Sequence, residues 1–219
     1  MASVNVDLVL DPVCPWCWLG HRYWQQARAR VPEIAVETVL RPFQLDGSIP
    51  QSGVPYLAYM KARIGEDAQG RFKAMRAHLE TAGPEAGIVF NFDEITIRPN
   101  TMNAHRLIRW AQGQGKGEDA AEAVFKAYFE ERRDIGAVAE LAAIADALGL
   151  DGTLVAELLA TDRDVAGLER EERFYRSLGV AGVPCFIFNG AFAVSGAESP
   201  DVLADAIRKA SQMPQEDGE

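Results

Sequence analysis

Two cysteines, Cys14 and Cys17, stand three residues apart in a Cys-Pro-Trp-Cys segment that follows a short apolar run. Thiols at this spacing on one helical turn can form and break a disulfide. We expect Cys14 at the N-cap and Pro15 at the first helical position, where unpaired N–H groups and the helix dipole favour a thiolate. Cys17, one turn further into the helix, is the natural resolving thiol. The segment predicts thiol–disulfide exchange with Cys14 as the nucleophile.

A zinc site is the main alternative reading of a Cys-x-x-Cys pair. His21 lies four residues after Cys17, but His78 and His105 stand alone, so the sequence holds no second ligand pair at zinc spacing. We therefore predict no metal and take His21 as a helix-surface or packing residue. The third cysteine, Cys185, is expected to be a small buried hydrophobic residue, with a reactive thiol near the pair as the alternative.

The composition is that of an ordinary globular protein with an acidic surface. The 219 residues are 48% hydrophobic and 25% charged, and the net charge is −10. This charge argues against nucleic acid as a partner, since phosphate binding needs clustered Lys and Arg. No signal peptide and no apolar run near the roughly 20 residues that cross a bilayer are visible. We expect a cytoplasmic protein without a membrane partner, where a cysteine pair is rarely structural.

The elements that position the cysteine pair begin in a β-α-β order. Residues 4–10 and 34–43 are predicted strands, and residues 15–30 are a predicted helix that ends near Val31-Pro32. Such a unit implies a right-handed crossover between parallel strands. The pair therefore lies where the first strand passes into the first helix.

A long block with helical periodicity follows this unit. Its predicted helices cover residues 54–64, 67–82, 100–114, 117–131, 134–149 and 151–160. Residues 87–99 fit either short strands or a packed loop. The block separates the opening unit from the last elements of the chain.

The chain closes with a helix, two strands and a final helix. The helix is predicted at 162–178, Asn189-Gly190 predicts a hairpin turn, and Ser199-Pro200 predicts the start of the last helix. Without the helical block a thioredoxin-like order remains. We predict an α/β, thioredoxin-like fold with a large all-helical insertion. Residues 1–46 and 162–219 form the thioredoxin-like domain, and residues 47–161 form the inserted helical domain.

The sequence resembles the DsbA-like thioredoxin-fold oxidoreductases, specifically their cytoplasmic FrnE-like group. That group is related to kappa-class glutathione transferases and 2-hydroxychromene-2-carboxylate isomerases. The resemblance covers nearly the whole chain, and its active-site and Val-Pro motifs are specific in this order and spacing. The four motifs are Asp11-Pro12-Val13-Cys14-Pro15-Trp16-Cys17, Asn100-Thr101 before Ala104-His105-Arg106, Gly179-Val180 before Gly182-Val183-Pro184, and Ser195-Gly196-Ala197.

The resemblance implies a cis Val183–Pro184 peptide that faces the cysteine pair. Pro184 would belong to the catalytic machinery, because proline offers no N–H and no metal ligand beside the dithiol. The backbone of Val183 would pair with an extended substrate, as in strand addition. Pro15, Trp16 and Gly182 would complete the substrate-binding surface.

The resemblance also places Asn100 and His105 near the cleft between the two domains, as further substrate-binding candidates. Alternatively, His105 is a structural residue whose hydrogen bonds are made within the interface between the two domains. In glutathione-using relatives the Ser-Gly-Ala loop holds a carboxylate at a helix N-terminus, so Ser195 and Gly196 would bind glutathione if this chain uses it. Otherwise we predict no cofactor.

One departure from related folds concerns the buried acid used for proton transfer. Several thioredoxin-fold proteins place a carboxylate six residues before the first cysteine, where this chain has Leu8. Asp11 is closer in sequence, although Asp before Pro is often only a turn former. Proton shuttling by Asp11 is accordingly a hypothesis.

The predicted function is a protein disulfide oxidoreductase or isomerase that acts on protein, peptide or small-molecule disulfides. Glutathione or a thioredoxin system would supply the reducing equivalents. The alternatives are a glutathione-dependent transferase or chromene-carboxylate isomerase and a non-enzymatic peptide-binding chaperone module. The glutathione-dependent relatives typically carry Ser at the first position and lack the second Cys, so Cys14 and Cys17 favour redox chemistry.

Overall fold

The computed structural model describes residues 3–64 and 69–213. The chain opens with strand β1 (Ser3–Leu10), helix α1 (Pro15–Ala29) and strand β2 (Ala35–Pro42). β1 and β2 are parallel over their whole length. The predicted β-α-β unit is therefore confirmed, and the cysteine pair lies at the carboxyl end of β1.

The central sheet has the strand order β2-β1-β5-β6. Strand β5 (Cys185–Phe188) is antiparallel to β1, and β6 (Phe192–Ser195) is antiparallel to β5. The turn between them holds Asn189 and Gly190 at positive φ, 51° and 66°. Such a turn suits the twist of a hairpin, so the Asn-Gly prediction is confirmed.

Helices cover both faces of this sheet. Helices α1 and α9 (Pro200–Ser211) pack together on one face, and α8 (Val165–Ser177) packs beside β2. α9 begins as predicted: Ser199 is the N-cap, its hydroxyl accepts from the Val202 N–H at 3.4 Å, and Pro200 is the first helical residue.

The segment between β2 and α8 is mostly helical. Its helices are α2 (Tyr56–Ile64), α3 (Gln69–Glu85), α4 (Met102–Gln112), α5 (Gly117–Phe129), α6 (Val138–Ala147) and α7 (Gly152–Leu159). This segment brackets the predicted insertion of residues 47–161. The first two residues of the predicted helix 67–82 lie outside the described residues.

The insertion also contains a short antiparallel ladder, which corrects the all-helical prediction. Strand β3 (Val54–Pro55) pairs with β4 (Ile97–Arg98), and a 3-10 turn covers Phe92–Glu94. Strands of two residues are too short for an alternating pattern to reveal them. Residues 87–99 therefore contain both predicted alternatives: a packed loop and, near its end, a short strand.

Helix α1, which carries the cysteines, is fixed from two sides by tryptophans. Trp24 packs against Phe186 and Phe188 of β5, with ring centroids 5.5 and 5.9 Å apart. Trp18 points the other way, into the helical insertion, and is fully buried. The rings around Trp18 are those of Phe90, Phe125 and Phe129. Aromatic packing therefore joins helix α1 both to the central sheet and to the helical segment.

His21 adds a polar connection between α1 and α5. It is fully buried, with Nδ1 3.3 Å from Glu122 and Nε2 3.6 Å from Glu118. Arg22 and Arg28 pair with the same two carboxylates at 2.7 and 2.6 Å. Burial alone would lower the pKa of His21, but hydrogen bonds to the two glutamates outweigh it and raise that pKa. His21 is a packing residue at an interface rather than a helix-surface residue.

We expect the His21 contact to make folding stability depend on pH. A histidine whose pKa is higher in the folded than in the unfolded state contributes its full stabilisation at pH values below the unfolded pKa of about 6.5. This stabilisation is lost as the pH rises through the folded-state pKa. His21→Gln should therefore flatten the fall in unfolding free energy above pH 6.5, by at most about 1.4 kcal/mol per pH unit. Urea titrations across pH 6 to 9, with His78→Gln as the exposed control, measure this slope. An unchanged slope in His21→Gln would contradict the assignment.

Candidate active site

Cys14 begins the active-site helix. It is the N-cap of α1, with φ −94° and ψ 111°, and Pro15 follows as the first helical residue. The predicted cap is therefore confirmed. The Cys14 side chain keeps 4% of its residue surface exposed, and its Sγ donates to the carbonyl oxygen of Val183 at 3.6 Å. The first thiol thus lies at a helix N-terminus, beside the loop that precedes β5.

Cys17 is the inner member of the pair. It is fully buried, and its Sγ accepts a hydrogen bond from the Asp11 N–H at 3.5 Å. Burial raises the pKa of the Cys17 thiol well above its usual value, and the hydrogen bond with Cys14 raises it further. Both cysteines are free thiols in this structure. The two thiols are unequal, since the inner one strongly favours its protonated form.

Pro184 lies against α1 at the cysteine pair. The Val183–Pro184 peptide is cis, as the family resemblance implied. A Cβ added at Gly20 would meet Pro184 Cγ at 2.8 Å, so α1 approaches the proline closely at this glycine. On the other side, the Gly196 N–H donates to the Pro184 carbonyl at 2.8 Å. Pro184 is thus held between the active-site helix and the Ser-Gly-Ala loop.

Gly20→Ala should displace Pro184 and cost stability. The added methyl group overpacks the contact with the proline ring, and such overpacking typically costs about 1–3 kcal/mol. Gly70→Ala in α3 is the matched control, because a Cβ there meets nothing within 4 Å. Urea unfolding should show a loss for Gly20→Ala and a neutral or favourable change for Gly70→Ala. Equal effects of the two substitutions would show that the close approach at Gly20 is unimportant.

The remaining residues predicted at the substrate surface flank Cys14. Trp16 is half-buried and lies against His78 of α3, with ring centroids 5.3 Å apart. Pro15 and Val183 are also half-buried, and Gly182 is exposed with open space around its Cα. These residues form a shallow rim around the first thiol. Contact of this rim with a substrate stays a prediction.

Asn100 and His105 lie in a buried polar network that joins α4 to the segment after β2. The Asn100 amide donates to the Ile49 carbonyl at 2.6 Å, and His105 Nε2 lies 3.3 Å from the Phe43 carbonyl oxygen. Burial lowers the pKa of His105 to about 4, so the ring is neutral at physiological pH. Protein groups already engage these atoms. The interface alternative therefore describes their position, and a substrate contact by either stays a prediction.

Asp11 belongs to the same network and lies directly behind Cys17. Its carboxylate accepts from the Leu45 N–H at 2.7 Å, and His105 Nε2 lies 3.9 Å from its other oxygen. Burial raises the pKa of Asp11, and the charge of Arg98 opposes that rise. A buried carboxyl group is therefore present beside the cysteine pair, although the position six residues before Cys14, where related folds carry an acid, is occupied by Leu8.

Cys185 lies apart from the pair, on the opposite face of the sheet. It is buried beside Val9 and Tyr175, whereas its neighbour Phe186 points to the α1 side. The buried-hydrophobe expectation is confirmed, and the alternative of a third thiol near the dithiol is wrong. The Ser195 hydroxyl lies 3.8 Å from the Cys185 sulfur. Glutathione binding at Ser195 and Gly196 stays a prediction.

One cavity beside Cys14 was not foreseen from the sequence. It measures about 70 Å³, and both neighbours of Cys14, Val13 and Pro15, line it. Arg98 of β4 and Tyr128 of α5 form part of its wall. These groups come together only through tertiary folding, so no local pattern marks them.

In residues 3–64 and 69–213, no group of three or more His, Cys, Asp and Glu side chains is arranged to hold a metal ion. Within the same ranges, no helix combines the length and the apolar character needed to cross a membrane.

Solved structures with the same fold include enzymes of several activities. A probable DsbA oxidoreductase from Streptomyces coelicolor is 28% identical, with a TM-score of 0.87 over 96% of this chain and 92% of that one. A 2-hydroxychromene-2-carboxylate isomerase has a TM-score of 0.72 at 16% identity, covering 94% and 95%. The cytosolic disulfide reductase DsbM from Pseudomonas aeruginosa, solved with GSH, has a TM-score of 0.66 at 16% identity, covering 95% and 100%.

Sequence comparison agrees with this structural similarity. The uncharacterized protein YwbO of Bacillus subtilis is 26% identical over 207 residues, which are 94% of this chain and 96% of that protein. A model of the DSBA-like thioredoxin domain matches residues 5–208. This match spans the cysteine pair, the helical insertion and the Val-Pro loop. The chain therefore belongs to the DSBA-like thioredoxin domain family.

Proposed function

We propose that this protein is a thiol–disulfide oxidoreductase in which Cys14 is the nucleophile and Cys17 the resolving thiol. The unequal pair carries the proposal: Cys14 caps α1 and keeps 4% of its surface exposed, while Cys17 is fully buried with a raised pKa. The first thiol can meet a substrate, and the second can reach only the first. Such an asymmetry suits sequential exchange.

In the first step the Cys14 thiolate attacks one sulfur of the substrate disulfide. A Cys14–substrate disulfide forms, the substrate S–S bond breaks, and the other substrate sulfur leaves as a thiolate that takes a proton from water. The Val183 backbone beside Cys14 pairs with the substrate main chain, and the Trp16 ring covers the flank of the new bond.

In the second step Cys17 loses its proton and attacks Cys14 Sγ. The Cys14–Cys17 disulfide forms, the mixed disulfide breaks, and the second substrate sulfur leaves as a thiolate that takes a proton from water. Asp11 accepts the proton, since it is buried beside Cys17 and burial raises the pKa of its carboxyl group. Two electrons pass to the substrate. Glutathione or a thioredoxin system then restores the dithiol.

The direction of thiol–disulfide exchange follows from the cytoplasmic location that we propose. A cytoplasmic glutathione poise of roughly −220 to −320 mV keeps an oxidising pair mostly reduced. Reduction or isomerisation of stress-formed disulfides is then the working direction. A measured reduction potential of the Cys14–Cys17 couple below that range would reverse this argument, because the pair would then be held oxidised.

Reduction of insulin disulfides by the wild-type protein, with a thiol reductant to recycle the pair, tests the proposal. We expect the aggregation of free insulin B chain to start earlier than with the reductant alone. No acceleration at any protein concentration would refute the activity. The assay needs no knowledge of the physiological substrate, because insulin presents both exposed and buried disulfides.

A glutathione-dependent transferase or isomerase is the second candidate. The observation in its favour is the contact of Gly196 with Pro184, which puts the loop predicted to bind glutathione beside the dithiol. Chromene-carboxylate isomerisation that depends on added glutathione would support this function. Glutathione binding without turnover, together with insulin reduction, would favour the oxidoreductase.

A further inference from the structure

The cavity beside Cys14 is narrow and mostly apolar. Val13 and Pro15, the two sequence neighbours of the nucleophile, line it, and it holds about 70 Å³. A dry cavity of about 150 Å³ accommodates benzene, so this one admits only a short group. Most of the remaining wall is contributed by Tyr56, Met60, Met75, Phe92 and Phe129.

Arg98 places a positive charge in this apolar wall. Its residue surface is only 5% exposed, its Nη1 donates to the Pro99 carbonyl at 3.3 Å, and its guanidinium lies 5.4 Å from the Tyr59 ring centroid. Within residues 3–64 and 69–213, no carboxylate forms an ion pair with it. Arg76, on the same cavity, instead pairs with carboxylates on its outer side.

A buried guanidinium is costly unless an anion compensates it. Asp11 feels the charge of Arg98, yet its two oxygens accept from the backbone N–H groups of Leu45 and Val13. Asp11 is also absent from the cavity wall. The cavity therefore combines a small volume, a cation that forms no ion pair with a carboxylate of the described residues, and a wall that includes both sequence neighbours of Cys14.

We propose that Arg98 binds a carboxylate of the disulfide substrate that lies close to the sulfur that Cys14 attacks. This inference rests on the proposed function and adds a substrate class to it. A short carboxylate fits the cavity and gains charge-assisted hydrogen bonds from the guanidinium. A small-molecule disulfide and an acidic side chain next to a protein disulfide both offer this chemistry.

A charge series of small disulfides tests the proposal on the wild-type protein. The probes are dithiodipropionate, bis(2-hydroxyethyl) disulfide and cystamine, which are anionic, neutral and cationic. The net charge of −10 would by itself favour the cation. We expect the rate constant for attack by Cys14 to be about tenfold higher for the anion than for the neutral probe. A preference for the cation would overturn the proposal, while reaction with the neutral probe would leave the proposed function intact.

Variants then assign the preference to Arg98. In Arg98→Gln the anion-to-neutral rate ratio should fall to about one, and Arg98→Lys should retain part of it. Arg30→Gln, at the opposite end of α1, makes the same change in net charge and should keep the wild-type ratio. If Arg98 only balances Asp11, Arg98→Gln will change the rates of all three probes by the same factor, and the proposal fails.

Peptide disulfides distinguish the two sources of the carboxylate. A cystine peptide with Glu beside the disulfide is compared with its Gln counterpart, in the wild type and in Arg98→Gln. A Glu preference that disappears in the variant supports a protein substrate. An anion preference confined to the small disulfides supports a small-molecule substrate. Discrimination in neither series refutes a carboxylate site.

Discussion

Cys14→Ser is expected to lower insulin reduction by about a hundredfold or more. A serine hydroxyl is not ionised at neutral pH, and Cys17 is fully buried, so it cannot meet a substrate in place of Cys14. The measurement is the rate of insulin precipitation at fixed reductant. Cys185→Ser is the matched control and should keep wild-type activity, because Cys185 lies on the other face of the sheet. Substantial activity in Cys14→Ser would contradict the proposed nucleophile.

Cys17→Ser should block the second step and leave the first intact. The Cys14 thiolate still attacks, but no thiol remains to release the substrate, so a mixed disulfide accumulates in a one-to-one ratio. Turnover of insulin should fall strongly, while the burst of released first thiol persists. Full turnover without any accumulated adduct would show that release does not depend on Cys17.

Trp18→Ala should have the largest effect on stability. Trp18 is fully buried and joins α1 to three phenylalanine rings, and its Nε1 donates to Glu122 at 3.0 Å. Truncation of a buried tryptophan typically costs about 3–5 kcal/mol, because a cavity remains where the ring packed. The removed indole also leaves the Glu122 carboxylate without one donor.

Urea denaturation measures this loss, with Trp16→Ala as the matched control. Trp16 is half-buried and lies against the exposed His78, so its truncation should cost much less than that of Trp18. Trp18→Phe separates the two contributions, since it keeps an aromatic ring but removes the hydrogen bond to Glu122. Similar losses for Trp18→Ala and Trp16→Ala would contradict the role of Trp18 in holding α1 against the helical segment.

The parts of the fold that could be predicted are those that depend on neighbours in sequence. Pro15 after Cys14, Pro200 after Ser199 and the Asn189-Gly190 pair each act within two or three residues, and all three are found as expected. The cis Val183–Pro184 peptide followed from family resemblance instead. Nothing in the isolated dipeptide requires it, since X-Pro bonds in folded proteins are mostly trans.

The polar and charged groups around the site could not be predicted in the same way. His21 meets Glu122, which is 101 residues away in sequence, and Asp11 meets Leu45 across 34 residues. Arg98 reaches the cavity from a strand of two residues, which carries no readable pattern. Charged residues of these types are usually exposed, and here tertiary contacts bury them. Neither the composition nor the local sequence reveals which charged residues are buried in this way.

The most direct test of which thiol is the nucleophile is to identify the cysteine that becomes linked to the substrate. Cys17→Ser protein is treated with a peptide disulfide, digested without reductant and mapped by mass spectrometry. We predict that the peptide is attached to Cys14 in nearly all molecules, because this thiol caps α1 and is partly accessible, whereas Cys17 is fully buried. Attachment to Cys185, or no attachment at all, would contradict the central claim that Cys14 is the nucleophile.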